Sequence, residues 1–223
     1  MWNQSIPVQV SPMSLVTVKG VSKRKKQVRS LTVEQFQKLS AELHEPHRTI
    51  ALLCICFGLR ISEALAHRWS DVDWLNKRLR VERGIVERIV DDVKTDESRQ
   101  SLVIADELLD QLKAWKQATE FPADSDWIFA SPLKIGRLPY SYTGVWRELD
   151  RACEAAGIGH IGTHTFPHSY RMWIDAIATP VGVQQKLMRH SDIRTTMNIY
   201  GDAATEDMRD AHKKIVGLAL QTM

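Results

Sequence analysis

The chain is short of cysteine, and the few it has suit neither a disulfide framework nor a metal site. Of the three, Cys54 and Cys56 stand two apart inside an apolar run and Cys153 stands alone. Small secreted scaffolds use even sets of cysteines, and zinc sites use spaced pairs. All three are therefore expected in the core, where a free thiol behaves as a small apolar group. Long hydrophobic runs are also missing. The longest, Ile50 to Leu59, falls well below the roughly 20 residues a bilayer-spanning helix needs, so no membrane association is expected. The opening residues lack the basic, apolar and small-residue order of a signal peptide, which predicts a reducing, cytoplasmic setting. No internal repeat or low-complexity tract is evident.

What is present is ordinary for a globular domain. The 223 residues, 43% hydrophobic and 26% charged, can bury one core and argue against disorder. A net charge of +3 and a pI near 8.8 give only a mild bias toward acidic partners. The distribution is more informative. Lys19, Lys23, Arg24, Lys25, Lys26 and Arg29 crowd into one stretch without an acidic residue. Such a run attracts a phosphate backbone through counterion release, and the same composition also suits a solvated linker.

Residues 1–30 carry Pro7, Pro12 and the basic run without sustained periodicity and read as a linker or arm. Order is expected from Leu31, because Thr32 can cap a helix with Gln35 three residues on, and Phe36 and Leu39 follow at helical spacing. A long helix is predicted from about His47 to His67, apolar on nearly all sides at first, with Gly58 as a break near Arg60. Between Arg78 and Ile104 the pattern becomes β-type: Leu79 and Val81, Ile85 and Val86, Ile89 and Val90, then Leu102 to Ile104. These runs predict one small antiparallel sheet. Helical spacing returns at Glu107, with loops at Phe121-Pro122 and from Ser131 to Tyr140. The last helix, Asp207 to Leu220, offers an apolar face that a neighbouring chain can bury.

Three strings are hard to explain by packing alone. In Gly58-Leu-Arg60-Ile-Ser-Glu63-Ala-Leu, Arg60 follows a strongly apolar stretch, and Glu63 lies on its helical face. That pair reads either as an ordinary ion pair at a helix end or as a held functional guanidinium. In Gly162-Thr-His164-Thr-Phe-Pro167-His168-Ser-Tyr-Arg171, two histidines stand four apart at a helix start. No third ligand of the right kind is nearby, so capping or core histidines are favoured over a metal site. In Leu187-Met-Arg-His190-Ser-Asp-Ile-Arg-Thr195-Thr-Met-Asn-Ile-Tyr200, a short helix is expected to end at His190, with a second helix presenting Tyr200.

In this order the three strings resemble the boxes of the phage-integrase family of tyrosine recombinases, over about Leu31 to Ile215. The resemblance implies a mainly α fold with a small antiparallel β-sheet (α+β), the tyrosine recombinase catalytic domain, over residues 31–223. It also implies a site-specific DNA recombinase whose nucleophile is Tyr200. Attack on a backbone phosphorus would form a 3′-phosphotyrosyl link and release a 5′-hydroxyl, conserving the bond energy without a metal or other cofactor. By resemblance, Arg60 neutralises charge on the non-bridging oxygens, with Glu63 supporting it. Lys94, in Val93-Lys-Thr-Asp-Glu-Ser-Arg99, protonates the leaving oxygen as general acid. His164 and His190 donate hydrogen bonds to the phosphate, and either can help take the proton of a tyrosine whose usual pKa is about 10. His168 fits the middle box in a supporting place.

One position departs from the family pattern. A second arginine belongs three residues after the middle box's histidine, and Pro167 stands there. Proline is acceptable near a helix's first turn, and it biases Phe166 away from helical geometry. The charge it removes is worth on the order of 3–4 kcal/mol of transition-state stabilisation. Arg171 starts about one turn, roughly 5–6 Å, too far along to replace it. The sequence thus predicts a recombinase domain impaired by Pro167 or, alternatively, a catalytically inactive DNA-binding protein on the same scaffold. The implied partner is double-stranded DNA in the nucleoid, with tetramers on DNA and a monomer without it. Family members carry an N-terminal core-binding domain, which these residues do not include.

Overall fold

The computed structural model describes residues 29–86, 89–92, 100–162, 164–188 and 206–220. Ordered structure begins as the sequence predicts. Helix α1 (Val33–Ala41) is capped by Thr32, whose hydroxyl accepts the Gln35 N–H at 3.2 Å while the Gln35 side chain accepts the Thr32 N–H at 3.0 Å. This reciprocal box satisfies two of the donors a helix start leaves free.

Helix α2 (His47–Phe57) is the centre of the core. Residues Thr49 to Phe57 are all buried, which explains why the segment is apolar on every side. It touches α6 (Thr165–Ala176), α8 (Glu206–Leu220) and α3 (Ile61–Ala64). The predicted long helix is in fact two. Gly58 ends α2 in the left-handed region at φ 63°, and the chain turns before α3. Cys54, Cys56 and Cys153 are free and buried, as expected.

The β region differs from the single sheet expected. Strands β1 (Val72–Asp73), β2 (Arg78–Val81) and β5 (Gln100–Val103) form one antiparallel sheet in the order β1-β2-β5. Strands β3 (Arg83–Val86) and β4 (Ile89–Asp92) form a separate hairpin. In the first sheet Leu79 faces Leu102, and both are buried against the helices. In the hairpin Ile89 and Val90 are exposed, so that strand has no core to join on those side chains.

Helices α4 (Asp106–Ala118), α5 (Tyr142–Ala155) and α7 (Val181–Met188) complete the body. The apolar face of α8 is covered by its own chain and not left for a neighbour. Ile215, Val216 and Ala219 are buried, and the helix packs on α1, α2 and α4. His212, in its middle, accepts the Ala105 N–H at the start of α4 (3.0 Å) and stacks on Phe57 at 4.6 Å between ring centroids.

Candidate active site

The Arg60 turn is built by three local constraints. Gly58 must be glycine, because its φ is positive and a Cβ there would fall 2.6 Å from Tyr170 Cδ1 on α6. Leu59 is then fully buried, and Arg60 takes an extended conformation at the start of α3. Glu63 reaches back: Oε2 accepts the Arg60 N–H at 3.0 Å, and Oε1 accepts from Arg60 Nη1 at 3.1 Å. The carboxylate's side chain is only 12% exposed against 60% for the arginine's. One end of the guanidinium is thus anchored on a nearly buried carboxylate while the rest faces solvent. That is the geometry of a presented cation, consistent with the functional reading of the pair.

Helix α6 carries the second string. His164 occupies its N-cap position, and the His168 N–H donates to the His164 carbonyl at 3.1 Å. The two imidazoles are exposed, with ring centroids 6.3 Å apart. Pro167 is the third residue of the helix, where its missing N–H removes no intrahelical bond. Phe166 remains helical and buried against Phe36, contrary to the extended bias expected ahead of proline. Core packing of the Phe36, Phe166 and Trp173 rings outweighs that local preference.

The chain leading into α1 straps α6 in place. The Leu31 N–H donates to Ser169 Oγ (2.7 Å), that hydroxyl donates to the Thr165 carbonyl (2.7 Å), and Trp173 Nε1 donates to the Leu31 carbonyl (2.9 Å). Arg29 donates to the carbonyls of Ile158 and His160. The end of the basic run is therefore tied to the loop that precedes α6. Ser169 fits the middle string in the sequence, and its strapping role shows only in the structure, where a small polar residue lies on the helix's buried face.

A second pair missed from sequence is Asp71 with Arg83. Asp71 is buried, accepts the Arg68 N–H at 2.7 Å, and also accepts from Arg83 Nη2. Arg83 opens β3, so this pair fixes the hairpin's base beside α3, and Arg83 Nε also donates to the Ala66 carbonyl at 3.4 Å. Lys94 follows β4 in the connection to β5, a link between strands of different sheets, and it lies outside the described residues. His190, Tyr200, Lys19, Lys23, Arg24, Lys25 and Lys26 lie outside them as well. The structure therefore brings together Arg60, Glu63 and, through the Gly58–Tyr170 contact, the helix bearing His164 and His168.

Burial first, and then the neighbouring His164 and Arg171, hold the His168 imidazole below its ordinary pKa.

Residues 29–207, a span that includes Arg60, His164, His190 and Tyr200, match the phage integrase family. The chain belongs to that family. Among curated relatives, a XerC-like tyrosine recombinase of Caldanaerobacter subterraneus subsp. tengcongensis is 24% identical over 197 residues, 78% of this chain and 50% of that protein. The tyrosine recombinase XerA of Thermococcus onnurineus is 27% identical over 191 residues, 83% of this chain and 62% of that protein. The chain thus spans between half and about three-fifths of the length of these relatives. A substituted form of the Tn1549 transposon integrase, solved in complex with a circular-intermediate DNA, superposes with a TM-score of 0.65 at 18% identity. That superposition covers 87% of this chain and 67% of the other. The mainly α fold with small antiparallel sheets is that of the integrase catalytic domains.

Proposed function

We propose that this phage integrase chain is the strand-cutting and rejoining domain of a site-specific DNA recombinase, with its cleavage step slowed by Pro167. The observation that carries the reading is the Arg60 turn: an exposed guanidinium held by a nearly buried Glu63, set by Gly58 against the helix that presents His164. Arg60 offers a fork to the non-bridging oxygens of a phosphodiester, and His164 offers a ring N–H. Tyr200 is the nucleophile that attacks the phosphorus, Lys94 protonates the departing 5′-oxygen, and His190 shares the phosphate with His164. The bond to the 5′-oxygen breaks as the bond to the tyrosine oxygen forms, so the phosphodiester energy is kept for rejoining. The substrate is double-stranded DNA. Lys19, Lys23, Arg24, Lys25 and Lys26 hold its backbone, with steep salt dependence, while Arg29 is spent on the Ile158 and His160 carbonyls, and synapsis joins four chains on DNA from a monomer in solution.

A second reading, a DNA-binding protein that keeps the scaffold without the chemistry, is favoured by Pro167 alone. The two are separated with a suicide duplex, its sequence selected from a random pool for binding to the chain, which traps the protein–DNA adduct. A covalent adduct that vanishes in Tyr200→Phe supports the recombinase. DNA binding with no adduct after prolonged incubation, even in Pro167→Arg, supports the inactive scaffold and overturns the first reading.

A further inference from the structure

The exposed side of α6 carries more cationic chemistry than the proposed reaction uses. At about 100° per residue, positions 164, 168 and 171 fall within an arc of roughly 60° on one side of the helix. Phe166, Ser169, Tyr170, Trp173 and Ile174 occupy the opposite, buried side. His164, His168 and Arg171 are all exposed. Arg171 makes no ion pair among the described residues, whereas Arg48, Arg60, Arg83 and Arg151 each hold a carboxylate. Burial is the first cause of the depressed His168 pKa and His164 and Arg171 follow, which marks the three as close neighbours, with the exposed Asp175 one turn beyond Arg171 on the same arc.

We propose that His168 and Arg171 form a phosphate-binding row that grips the DNA backbone next to the phosphate served by His164. The inference rests on the DNA-processing reading above and extends it to a contact outside the reacting group. The rings of His164 and His168 are 6.3 Å apart, a spacing that lets each present its own N–H to the backbone of one strand. Arg171 lies a further three residues along, about 4.5 Å of helix rise, and its long side chain reaches the second phosphate with a bidentate fork. Pro167 sits at the edge of this row and contributes no charge, so cationic density on α6 is shifted one turn toward Arg171. The helix keeps its hold on the backbone while the reacting phosphate lacks a donor. The row is a positioning device for DNA, blind to base sequence, because phosphate contacts carry no sequence information.

The test is a salt titration of duplex binding by the full chain, with Arg171→Ala, Arg171→Lys, His168→Gln and, as an exposed control on α5, Arg147→Ala. Arg171→Ala should weaken binding several-fold on all duplexes alike and lower the slope of log affinity against log salt by about 1. Arg171→Lys should keep the slope, and His168→Gln, which keeps a donor, should weaken binding less than Arg171→Ala does. Far-UV circular dichroism checks that each variant is folded, and Arg171→Lys keeps the test open if the alanine variant is not. Unchanged affinity and slope in folded Arg171→Ala, with the parent chain binding well, overturns the row and leaves the DNA reading standing. A parent chain that binds no duplex at low salt overturns both.

Discussion

The Tyr170 ring occupies the space a Cβ on Gly58 would need, 2.6 Å from its Cδ1, at a residue whose φ is +63°. This pair joins the helix that ends before Arg60 to the helix that starts at His164, so two parts of the site are positioned by one close contact. Gly58→Ala combines left-handed strain with an overlap and should destabilise the fold by about 2–3 kcal/mol. Urea unfolding should show a lower midpoint with an unchanged m-value. Tyr170→Ala should relieve part of the Gly58→Ala penalty in a double-mutant cycle, because the two residues share one space.

The Glu63 side chain both caps α3 and anchors Arg60, and substitutions separate the two tasks. Glu63→Gln keeps an acceptor for the Arg60 N–H and should cost little stability. Glu63→Ala removes the cap and should cost about 1 kcal/mol. Both should slow trapping of the DNA adduct, and Glu63→Ala should slow it more.

Asp71 and Arg83 are twelve positions apart in sequence and hold the β3–β4 hairpin beside α3. Arg83→Ala leaves the Asp71 carboxylate buried with, among the described residues, the Arg68 N–H alone to satisfy it. Because the Arg83 side chain is 23% exposed, the loss should be about 2–4 kcal/mol, at or below the range for a fully buried pair. Thermal unfolding of Arg83→Ala and Arg83→Lys measures it, and the lysine variant should recover part of the loss.

His212 gives α8 a pH dependence. Burial pushes its imidazole down to about 3, against about 6.5 when exposed, so it is neutral in the folded chain. Below pH 6.5 the unfolded chain binds a proton that the folded one refuses, and stability falls as pH falls, by roughly 1 kcal/mol per pH unit. His212→Gln keeps an acceptor for the Ala105 N–H and should flatten the pH 4 to 6.5 limb of a stability–pH profile. An unchanged limb would assign it to other groups.

The sequence announced what depends on near neighbours. The Thr32–Gln35 box, the break at Gly58 and the Arg60–Glu63 pair each lie within a few residues, and each is present in the structure. Strand partners were not legible, because β5 passes over its neighbours β3 and β4 to pair with β2, and alternation says which face is apolar but not which strand lies beside it. The covering of α8 was hidden for the same reason: periodicity marked an apolar face, and only the assembled core shows that α1, α2 and α4 cover it. Helical Phe166 shows the reverse, a local rule about proline overruled by the aromatic cluster around Phe36.

The most direct test of the proposed mechanism is the rate at which the parent chain and Pro167→Arg trap a suicide duplex as the Tyr200 adduct. Restoring the missing donor should raise that rate by roughly a hundred- to a thousand-fold, with duplex affinity changed far less. Equal and fast adduct formation by both chains would contradict the account, because it would mean that Pro167 deprives the reacting phosphate of nothing it needs.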